Sequence, residues 1–267
     1  GMGDAADLRD LAAWSAEEHG ADFVLINPMH AAQPFPPLEP SPYLPTTRRF
    51  LNPLYIRVED VPEYADLSGD VLGEIAELRR SVPADSDRIY REQVWQAKET
   101  ALRALHALPR SAERQAAFDA YRAREGHALV GFTTWCAIAA EHGCDWTLWP
   151  AELQDPDSAA VAGYRAEHGA EADYHAWLQW VLDEQLLDAQ AAAKRAGMKL
   201  GVVHDLAVGV NPTGAEAWAR GDVFARGVSV GAPPDAFTHL GQDWGQPPWR
   251  PDRLAELAYD PFRSMVS

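Results

Sequence analysis

The sequence predicts an α/β fold in which short, buried parallel strands alternate with helices, as in a (β/α)8 barrel or an open doubly wound sheet. Two short apolar strands are predicted, one at residues 23–26 and one within the segment 199–210, and each follows a helical pattern and precedes a long loop. Between them, residues 69–142 have apolar positions at helical spacing and no strand pattern. A closed barrel needs eight strands. Only these two strands are visible, so we expect part of a barrel and not a whole one.

The first elements are a helix and a strand. Apolar residues such as Leu8 and Trp14 recur at helical spacing over residues 4–19, and Gly20 is a suitable stop. The run Phe23–Ile26 is apolar at every position. Because a parallel strand in the interior of an α/β protein is covered on both faces, this run is typical of such a strand.

A proline-rich segment at residues 34–53 follows the first strand. Proline restricts φ and lowers the entropy lost on ordering, so we expect an ordered loop. Tyr43 lies between Pro42 and Pro45, which would present its ring at the carboxyl end of the strand. Such a ring suits the floor of a sugar subsite, and the alternative is a ring that only closes the mouth of a barrel.

The second half of the chain repeats the helix and strand order. Helical spacing over residues 173–196 precedes the segment 199–210, which begins with a short apolar strand, and a last helix is predicted over 251–266. Asp205 lies where this strand ends. A carboxylate there costs free energy unless it is paired, and this edge of a parallel sheet carries catalytic and binding groups. The residue types leave three roles open: acid or base, acceptor for an arginine, or helix N-cap.

The segment at residues 241–249 is a third candidate site. It contains two Trp, two Gln and one Asp, with glycines beside them. Tryptophan offers a flat surface for a pyranose ring, and Gln and Asp can hydrogen-bond to hydroxyl groups. The glycines allow close approach of the backbone and hinge motion. The composition favours a ligand-binding loop over a purely structural one.

Charge and motif content exclude several functions. The net charge of -17 disfavours nucleic acid and anionic membranes as partners, whereas neutral ligands such as sugars are unaffected. Two cysteines, Cys136 and Cys144, are too few for a disulfide framework, and no apolar run is long enough to span a membrane. No phosphate-binding, dinucleotide or metal-ligand motif is present. We therefore expect a soluble, cytoplasmic protein without metal or cofactor.

Four ordered segments resemble the 4-α-glucanotransferases (amylomaltases) of glycoside hydrolase family 77, and of these most closely the larger bacterial branch. They are GMGD with the helix after it, FVLINP with SPYLPTTRRFLNPLYI, HDLAVGVNPTGAEAWA, and GAPPDAFTHLGQDWGQPPWRP. The resemblance covers nearly the whole chain. It implies part of a TIM barrel, about strands 2–3 with their helices, carrying a helical insertion. The expected divisions are a barrel segment with the substrate loop at 1–68, a mostly helical insertion at 69–172, and a second barrel segment at 173–267.

The resemblance also implies roles for individual residues. Tyr43 is similar to the aromatic residue that stacks on the sugar at the −1 subsite, with Ser41 as a neighbouring contact. Asp205 is similar to the third-strand aspartate that supports this subsite. Gln242 and Trp244 match the mobile loop that covers the scissile bond and contacts the +1 sugar. Asp235 matches a turn that supports this loop.

The family reaction is a retaining double displacement on α-1,4-glucans. It uses an aspartate nucleophile on the fourth strand, a glutamate acid/base on the fifth and an aspartate on the seventh. No Arg-x-Asp pattern lies on a predicted strand here, so we expect no catalytic residue within the chain and no activity from it alone. We also expect that the remainder of the barrel or self-association stabilises it. The alternatives are a free-standing α-glucan-binding module and another α-glucan-active barrel hydrolase.

Overall fold

The computed structural model describes residues 2–83 and 87–266. Its contacts group the chain into two compact units, each assembled from segments that are distant in sequence. The first comprises Gly1–Met29, Asn52–Val130 and Ala170–Asp205, and the second comprises His30–Leu51, Gly131–Gly169 and Leu206–Ser267. The predicted division at 1–68, 69–172 and 173–267 stays a prediction.

The helices and strands follow in this order: α1 Ala5–His19, β1 Phe23–Ile26, β2 His30–Ala31, β3 Thr47–Leu51, α2 Gly69–Ser81, α3 Arg91–His106, α4 Ala112–His142, α5 Ala159–Glu167, α6 Gly169–Arg195, β4 Gly201–His204, α7 Ala215–Ala219, β5 Val230–Ala232, β6 Gln242–Gln246, α8 Pro251–Glu256 and α9 Asp260–Val266. Short 3₁₀ helices lie at Pro53–Tyr55, Val58–Asp60, Pro62–Asp66, Trp146–Leu148 and Ala151–Leu153.

The two predicted strands form a parallel pair in the first unit. β1 and β4 lie in register, from Phe23 opposite Gly201 to Ile26 opposite His204. One face of β1 packs on both α1 and the end of α6. This small core consists of Ala12, Ala16, Ala21, Val24, Ala193 and Met198. The parallel pairing is the arrangement that the sequence predicts. The expected cover on both faces is seen on one face only, because Phe23 and Leu25 are exposed.

Capping interactions fix both ends of helix α1. Asp4 Oδ1 accepts the N–H groups of Ala6 and Asp7, at 3.1 and 3.3 Å. In return, Asp7 Oδ2 accepts the Asp4 N–H at 3.0 Å, which completes a capping box. Gly20 ends the helix in the left-handed conformation, with φ 63°.

The predicted helical stretch at 69–142 contains α2, α3 and α4, and its described residues include no strand. The part of this prediction at 84–86 lies outside the described residues. Gly126, with φ 56° and ψ −135°, interrupts α4. This backbone conformation is open mainly to glycine, so the sequence marks the kink.

The second unit has an aromatic core. Trp149 lies 5.8 Å from Trp218 and 6.2 Å from Trp135 between ring centroids, and Phe50 stacks on Phe132 at 4.8 Å. Trp135 and Trp218 are fully or nearly fully buried. These aromatic side chains supply a large apolar area beneath the loops of this unit.

Three parts of the second unit differ from the sequence predictions. The segment expected as a loop at 34–53 contains β3, which pairs antiparallel with β2. The long loop expected from 210 to 250 contains α7 and the β5–β6 hairpin. The single helix expected at 251–266 is two helices, separated where Ala258 and Tyr259 have φ of 50° and 60°.

No helix in the described part of the chain is long and apolar enough to cross a lipid bilayer.

Candidate functional site

Tyr43 is presented by a short turn. Ser41 Oγ accepts the Tyr43 N–H at 3.2 Å, and the Leu44 N–H reaches the Ser41 carbonyl at 3.4 Å. The turn leaves the Tyr43 side chain exposed, at 44% of its full area. Ser41 is partly buried and its N–H is bound by Glu39 Oε1 at 2.9 Å. The local hydrogen bonds therefore fix the backbone that carries the ring.

The end of this loop is tied to the segment that follows β4. The Asn211 N–H donates to the Pro45 carbonyl at 2.8 Å, and the Glu216 N–H donates to the Thr46 carbonyl at 2.9 Å. Thr46 Oγ1 accepts the Ala215 N–H at 2.8 Å. These three bonds join parts of the second unit that are about 170 residues apart in the sequence.

A buried ion pair strengthens the same connection. Arg48 Nη2 donates to Glu216 Oε1 at 2.7 Å, and the Arg48 N–H donates to the other carboxylate oxygen at 2.8 Å. Arg48 Nη1 also donates to the Val208 carbonyl at 2.8 Å. The guanidinium carbon lies 4.5 Å from the ring centroid of Trp249. One arginine thus holds three segments of the second unit through hydrogen bonds and a cation–π contact.

The β5–β6 hairpin carries Gln242 and Trp244. The Trp244 indole N–H donates to Gln242 Oε1 at 3.0 Å, so the two side chains lie on the same side of the strand. Trp244 is 41% exposed and Gln242 is exposed. Gly245 has φ 67°, beside the irregularity where the register shifts between Val230 and Gly231. The hairpin therefore presents an aromatic plane and a carboxamide together.

Asp243 makes hydrogen bonds within the β5–β6 hairpin. A hydrogen bond with Ser229 and the N–H of Gly245 hold the pKa of Asp243 below its usual value. The Gly245 N–H lies 2.9 Å from Asp243 Oδ1. Asp243 is therefore a stabiliser of the bulge.

Asp235 organises the connection between β5 and β6. Its Oδ1 accepts the N–H groups of Phe237 and Thr238 at 2.8 and 2.6 Å. The Thr238 carbonyl accepts the N–H groups of Asp235 and Gly241 at 3.1 and 3.0 Å. These four bonds form a compact turn, and a role for Asp235 in supporting a substrate loop stays a prediction.

Asp205 follows β4 directly. Its N–H donates to the Ile26 carbonyl at 3.1 Å, so the parallel pairing extends to this residue. Asp205 is partly buried and belongs to the first unit, whereas Ser41, Tyr43, Asp235, Gln242 and Trp244 belong to the second. The structure thus brings five of the six predicted site residues into one compact unit.

Three residues of this region were missed in the sequence. Arg48 and Glu216 give no local signal, because a charged residue in a strand or helix is usually exposed. Gln246 is buried, and its Nε2 donates to the Tyr43 carbonyl at 2.6 Å. Its place in the glutamine-rich segment at 241–249 was the available signal, but nothing in the segment distinguishes a buried glutamine from an exposed one.

Among the described residues, no three His, Cys, Asp or Glu side chains are grouped closely enough to hold a metal ion.

The parallel strand pair, the helices beside it and the loops after its strands place the chain among the (β/α)8 barrel proteins. Across the whole chain, the structure matches the crystal structure of amylomaltase from Corynebacterium glutamicum, with a TM-score of 0.85 and 48% identity, over 36% of that chain. The predicted fold class, part of a (β/α)8 barrel with added helices, is confirmed.

Residues 1–267 match the family model of glycoside hydrolase family 77, 4-alpha-glucanotransferase, and the chain belongs to this family. It is 55% identical to the 4-alpha-glucanotransferase of Mycobacterium tuberculosis over 275 residues, covering 100% of this chain and 38% of that protein. It is 32% identical to that of Haemophilus influenzae over 289 residues, covering 100% of this chain and 40% of that protein. The chain therefore spans about two fifths of the length of these relatives.

Proposed function

We propose that the chain supplies sugar-binding elements of a 4-α-glucanotransferase. That enzyme would transfer α-1,4-glucan segments to the 4-hydroxyl group of an acceptor glucan by retaining double displacement. Membership of family 77 supports the reaction type. The observation that carries the proposal is the presence, in one compact unit, of both the exposed Tyr43 ring and the Gln242–Trp244 pair of the hairpin.

The donor side of this site would include Tyr43 and Ser41. The Tyr43 ring would stack on the apolar face of the sugar at the −1 subsite, with Ser41 as a neighbouring contact. Asp205, in the first unit, stays a predicted sugar-binding residue, since a carboxylate oxygen can accept hydrogen bonds from a sugar hydroxyl or from an arginine. The fixed backbone around Ser41 and Tyr43 favours this role, because a ring already in place loses little entropy on binding.

The acceptor side would consist of the β5–β6 hairpin. Trp244 would stack on the sugar at the +1 subsite and Gln242 would hydrogen-bond to its hydroxyl groups, while Asp235 keeps the turn in shape. The indole N–H of Trp244 is bound to Gln242, so the orientation of the ring is set before a glucan arrives. A loop that closes over the bound glucan would exclude water and favour transfer over hydrolysis.

Bond cleavage would need two carboxyl groups, a nucleophile and an acid/base. We assign neither to residues 1–267, and we place them in further strands of the barrel. The same strands would cover Phe23 and Leu25, which are 49% and 64% exposed on β1. The partners are thus α-1,4-glucans and the remainder of the barrel. We propose a cytoplasmic location, in keeping with Cys136 and Cys144 being present as thiols.

Glucan binding to the purified chain tests the site. We expect maltoheptaose to bind, as measured by isothermal titration calorimetry, and we expect Tyr43→Ala and Trp244→Ala each to weaken it by roughly tenfold, the loss of one stacking contact. Trp14→Ala is the matched control, because Trp14 is an aromatic residue 52% exposed on α1, outside the site. Equal weakening by all three substitutions, or no binding by the wild-type chain, would contradict the proposal.

Activity needs a whole barrel. In a chimera, residues 1–267 replace the matching segment of the M. tuberculosis relative, which is 55% identical over 275 residues. We expect the chimera to convert maltotriose into glucose and longer maltodextrins, and the chain alone to produce neither. Robust disproportionation by the chain alone would overturn the assignment of the catalytic groups to other strands.

A further inference from the structure

Gln246 occupies a buried position between the hairpin and the Tyr43 loop. It ends β6, where it pairs with Val230, and its side chain is 6% exposed. Its Nε2 donates to the Tyr43 carbonyl at 2.6 Å. This hydrogen bond connects residues 203 positions apart in the sequence, and both lie in the second unit.

The other end of the same carboxamide makes no hydrogen bond. Gln246 Oε1 is buried and has no partner among the residues that the structure describes. Burying an acceptor without a partner costs free energy that offsets what the Nε2 bond contributes. An apolar side chain of the same length would fill this space at least as well. The carboxamide, unlike an apolar side chain, makes a directional hydrogen bond, which fixes the position of Gln246 relative to the Tyr43 carbonyl.

Gly209 forms the wall against which this carboxamide rests. A Cβ at position 209 would lie 2.7 Å from Gln246 Oε1 and 2.8 Å from Gln246 Cβ. Gly209 does not have a positive φ, so alanine there would not have to adopt the left-handed conformation that favours glycine. The glycine is therefore required for space, and an added methyl group would displace the Gln246 side chain.

The chain directly after the hairpin is held by backbone bonds, since Phe224 pairs with Trp249 and the Ala225 N–H donates to the Pro248 carbonyl at 2.9 Å. The hairpin itself is less regular. Its ladder is irregular between Val230 and Gly231, and Gly245, next to Gln246, has φ 67°. Such a glycine permits the strand to change direction. The bond from Gln246 ties this irregular end of the hairpin directly to the Tyr43 backbone, and so bears on where Gln242 and Trp244 lie relative to it.

We propose that Gln246 is a positioning residue, which fixes the β5–β6 hairpin to the Tyr43 loop and so sets the spacing between the donor-side ring and the acceptor-side pair. The proposal deepens the proposed function and rests on it for its consequence in glucan binding. The link between the two segments can be measured without any ligand.

Gln190 offers a matched control in the first unit. Its Oε1 accepts the Val202 N–H at 2.7 Å and its Nε2 donates to the Leu200 carbonyl at 3.0 Å. It also lies against a glycine, Gly201, with no room for a Cβ. It is thus a second bridging glutamine beside a glycine, but both of its ends are hydrogen-bonded and it serves β4.

The experiment compares hydrogen exchange, followed by mass spectrometry, in the wild-type chain and in Gln246→Met, Gly209→Ala and Gln190→Met. We expect Gln246→Met and Gly209→Ala each to raise exchange roughly fivefold in both 42–47 and 242–246, the factor for one ordinary hydrogen bond. We expect their maltoheptaose affinity to fall by a similar factor. Gln190→Met should raise exchange around β4 and leave both segments and the affinity unchanged. Gly209→Ala keeps Gln246 itself, so it tests the link even if Gln246→Met folds poorly.

Hydrogen exchange and glucan affinity together test the positioning role of Gln246. Raised exchange in both segments with weaker glucan binding supports the proposal. Unchanged exchange in 42–47, an equal rise throughout the second unit, or unchanged affinity despite raised exchange overturns it. If the wild-type chain binds no maltoheptaose while the two segments still loosen together, the proposed function fails and the positioning of the hairpin by Gln246 stands.

Discussion

At the scale of single residues, the ion pair of Arg48 and Glu216 places two opposite charges in the interior of the second unit. The Arg48 side chain is 2% exposed and that of Glu216 is 9% exposed. Bringing two charges out of water costs several kcal/mol per ion, which their attraction and additional hydrogen bonds offset. Here Arg48 also binds the Val208 carbonyl and contacts Trp249. The pair therefore depends on both partners being present.

Glu216→Gln tests this dependence. The substitution leaves the Arg48 charge buried without its carboxylate, and we expect the free energy of unfolding to fall by about 3–5 kcal/mol. Urea unfolding of the purified chain measures the change. The control is Arg79→Met, which breaks the exposed pair with Glu59 and should cost at most about 1 kcal/mol. If Glu216→Gln lowers the free energy of unfolding no more than the control does, breaking the Arg48–Glu216 pair costs no more than breaking an exposed pair.

At the scale of elements, the start of α6 contains a charged cluster in the first unit. Glu171 Oε1 lies 2.9 Å from Arg103 Nη2 and 3.2 Å from His175 Nε2. The contact with His175, opposed by partial burial and reinforced by Arg103, lowers the pKa of Glu171 from 4.5 to about 2. Arg103 also covers the ring of Tyr174, with its guanidinium carbon 4.2 Å from the centroid. The cluster thus joins α3 to α6.

The lowered pKa gives a pH dependence with a definite sign. Because the folded-state pKa of Glu171 lies below the unfolded value of 4.5, its contribution is complete above that pH and is lost as the pH falls towards about 2. We expect Glu171→Gln to lower the free energy of unfolding at pH 7 by about 1–3 kcal/mol, with the difference from wild type shrinking between pH 4.5 and 2.

Urea unfolding at several pH values measures this difference. Glu77→Gln, at an exposed position of α2, controls for the loss of one negative charge from an acidic protein. A difference between wild type and Glu171→Gln that stays constant from pH 7 to pH 3 would be inconsistent with the lowered pKa.

The same elements explain which parts of the fold could be predicted from the sequence. The signals that begin and end helix α1 lie within its own short segment, since Asp4 caps its start and Gly20 caps its end. β1 is a continuous apolar run, and β4 has two valines at its centre, which is the composition typical of parallel strands. These signals are local, so they can be read without knowing what the element packs against.

The β5–β6 hairpin has no such local signal. The sequence of β6, with Gly245 inside it, lacks the alternation of an amphipathic strand. Its register depends on a bulge, and its base is tied to Tyr43 by the distant contact of Gln246. Loop residues Tyr43, Gln242 and Trp244 could still be chosen as site candidates, because their chemistry was visible even though their geometry was not.

At the scale of the whole molecule, the parallel pair of strands is covered on one face only. Val24 packs in the core between α1 and α6. Phe23 and Leu25 project from the other face of β1 and are 49% and 64% exposed. In a barrel, both faces of a strand are covered. An apolar face of this kind favours either further strands or a second copy of the chain.

Leu25→Ser tests the role of this face. We expect the purified chain to associate as its concentration rises, and the substitution to weaken association by roughly tenfold or more, since burying a leucine side chain contributes about 1.5–3 kcal/mol. Size-exclusion chromatography with light scattering measures the mass at each concentration. Leu187→Ser is the control, because Leu187 is 59% exposed on α6, away from the strand face. A wild-type chain that stays monomeric at all concentrations, or equal effects of both substitutions, would mean that the exposed face of β1 does not drive association.

In the chimera with the M. tuberculosis relative, Leu25→Ser should instead lower the melting temperature, because the supplied strands would then bury the introduced hydroxyl group.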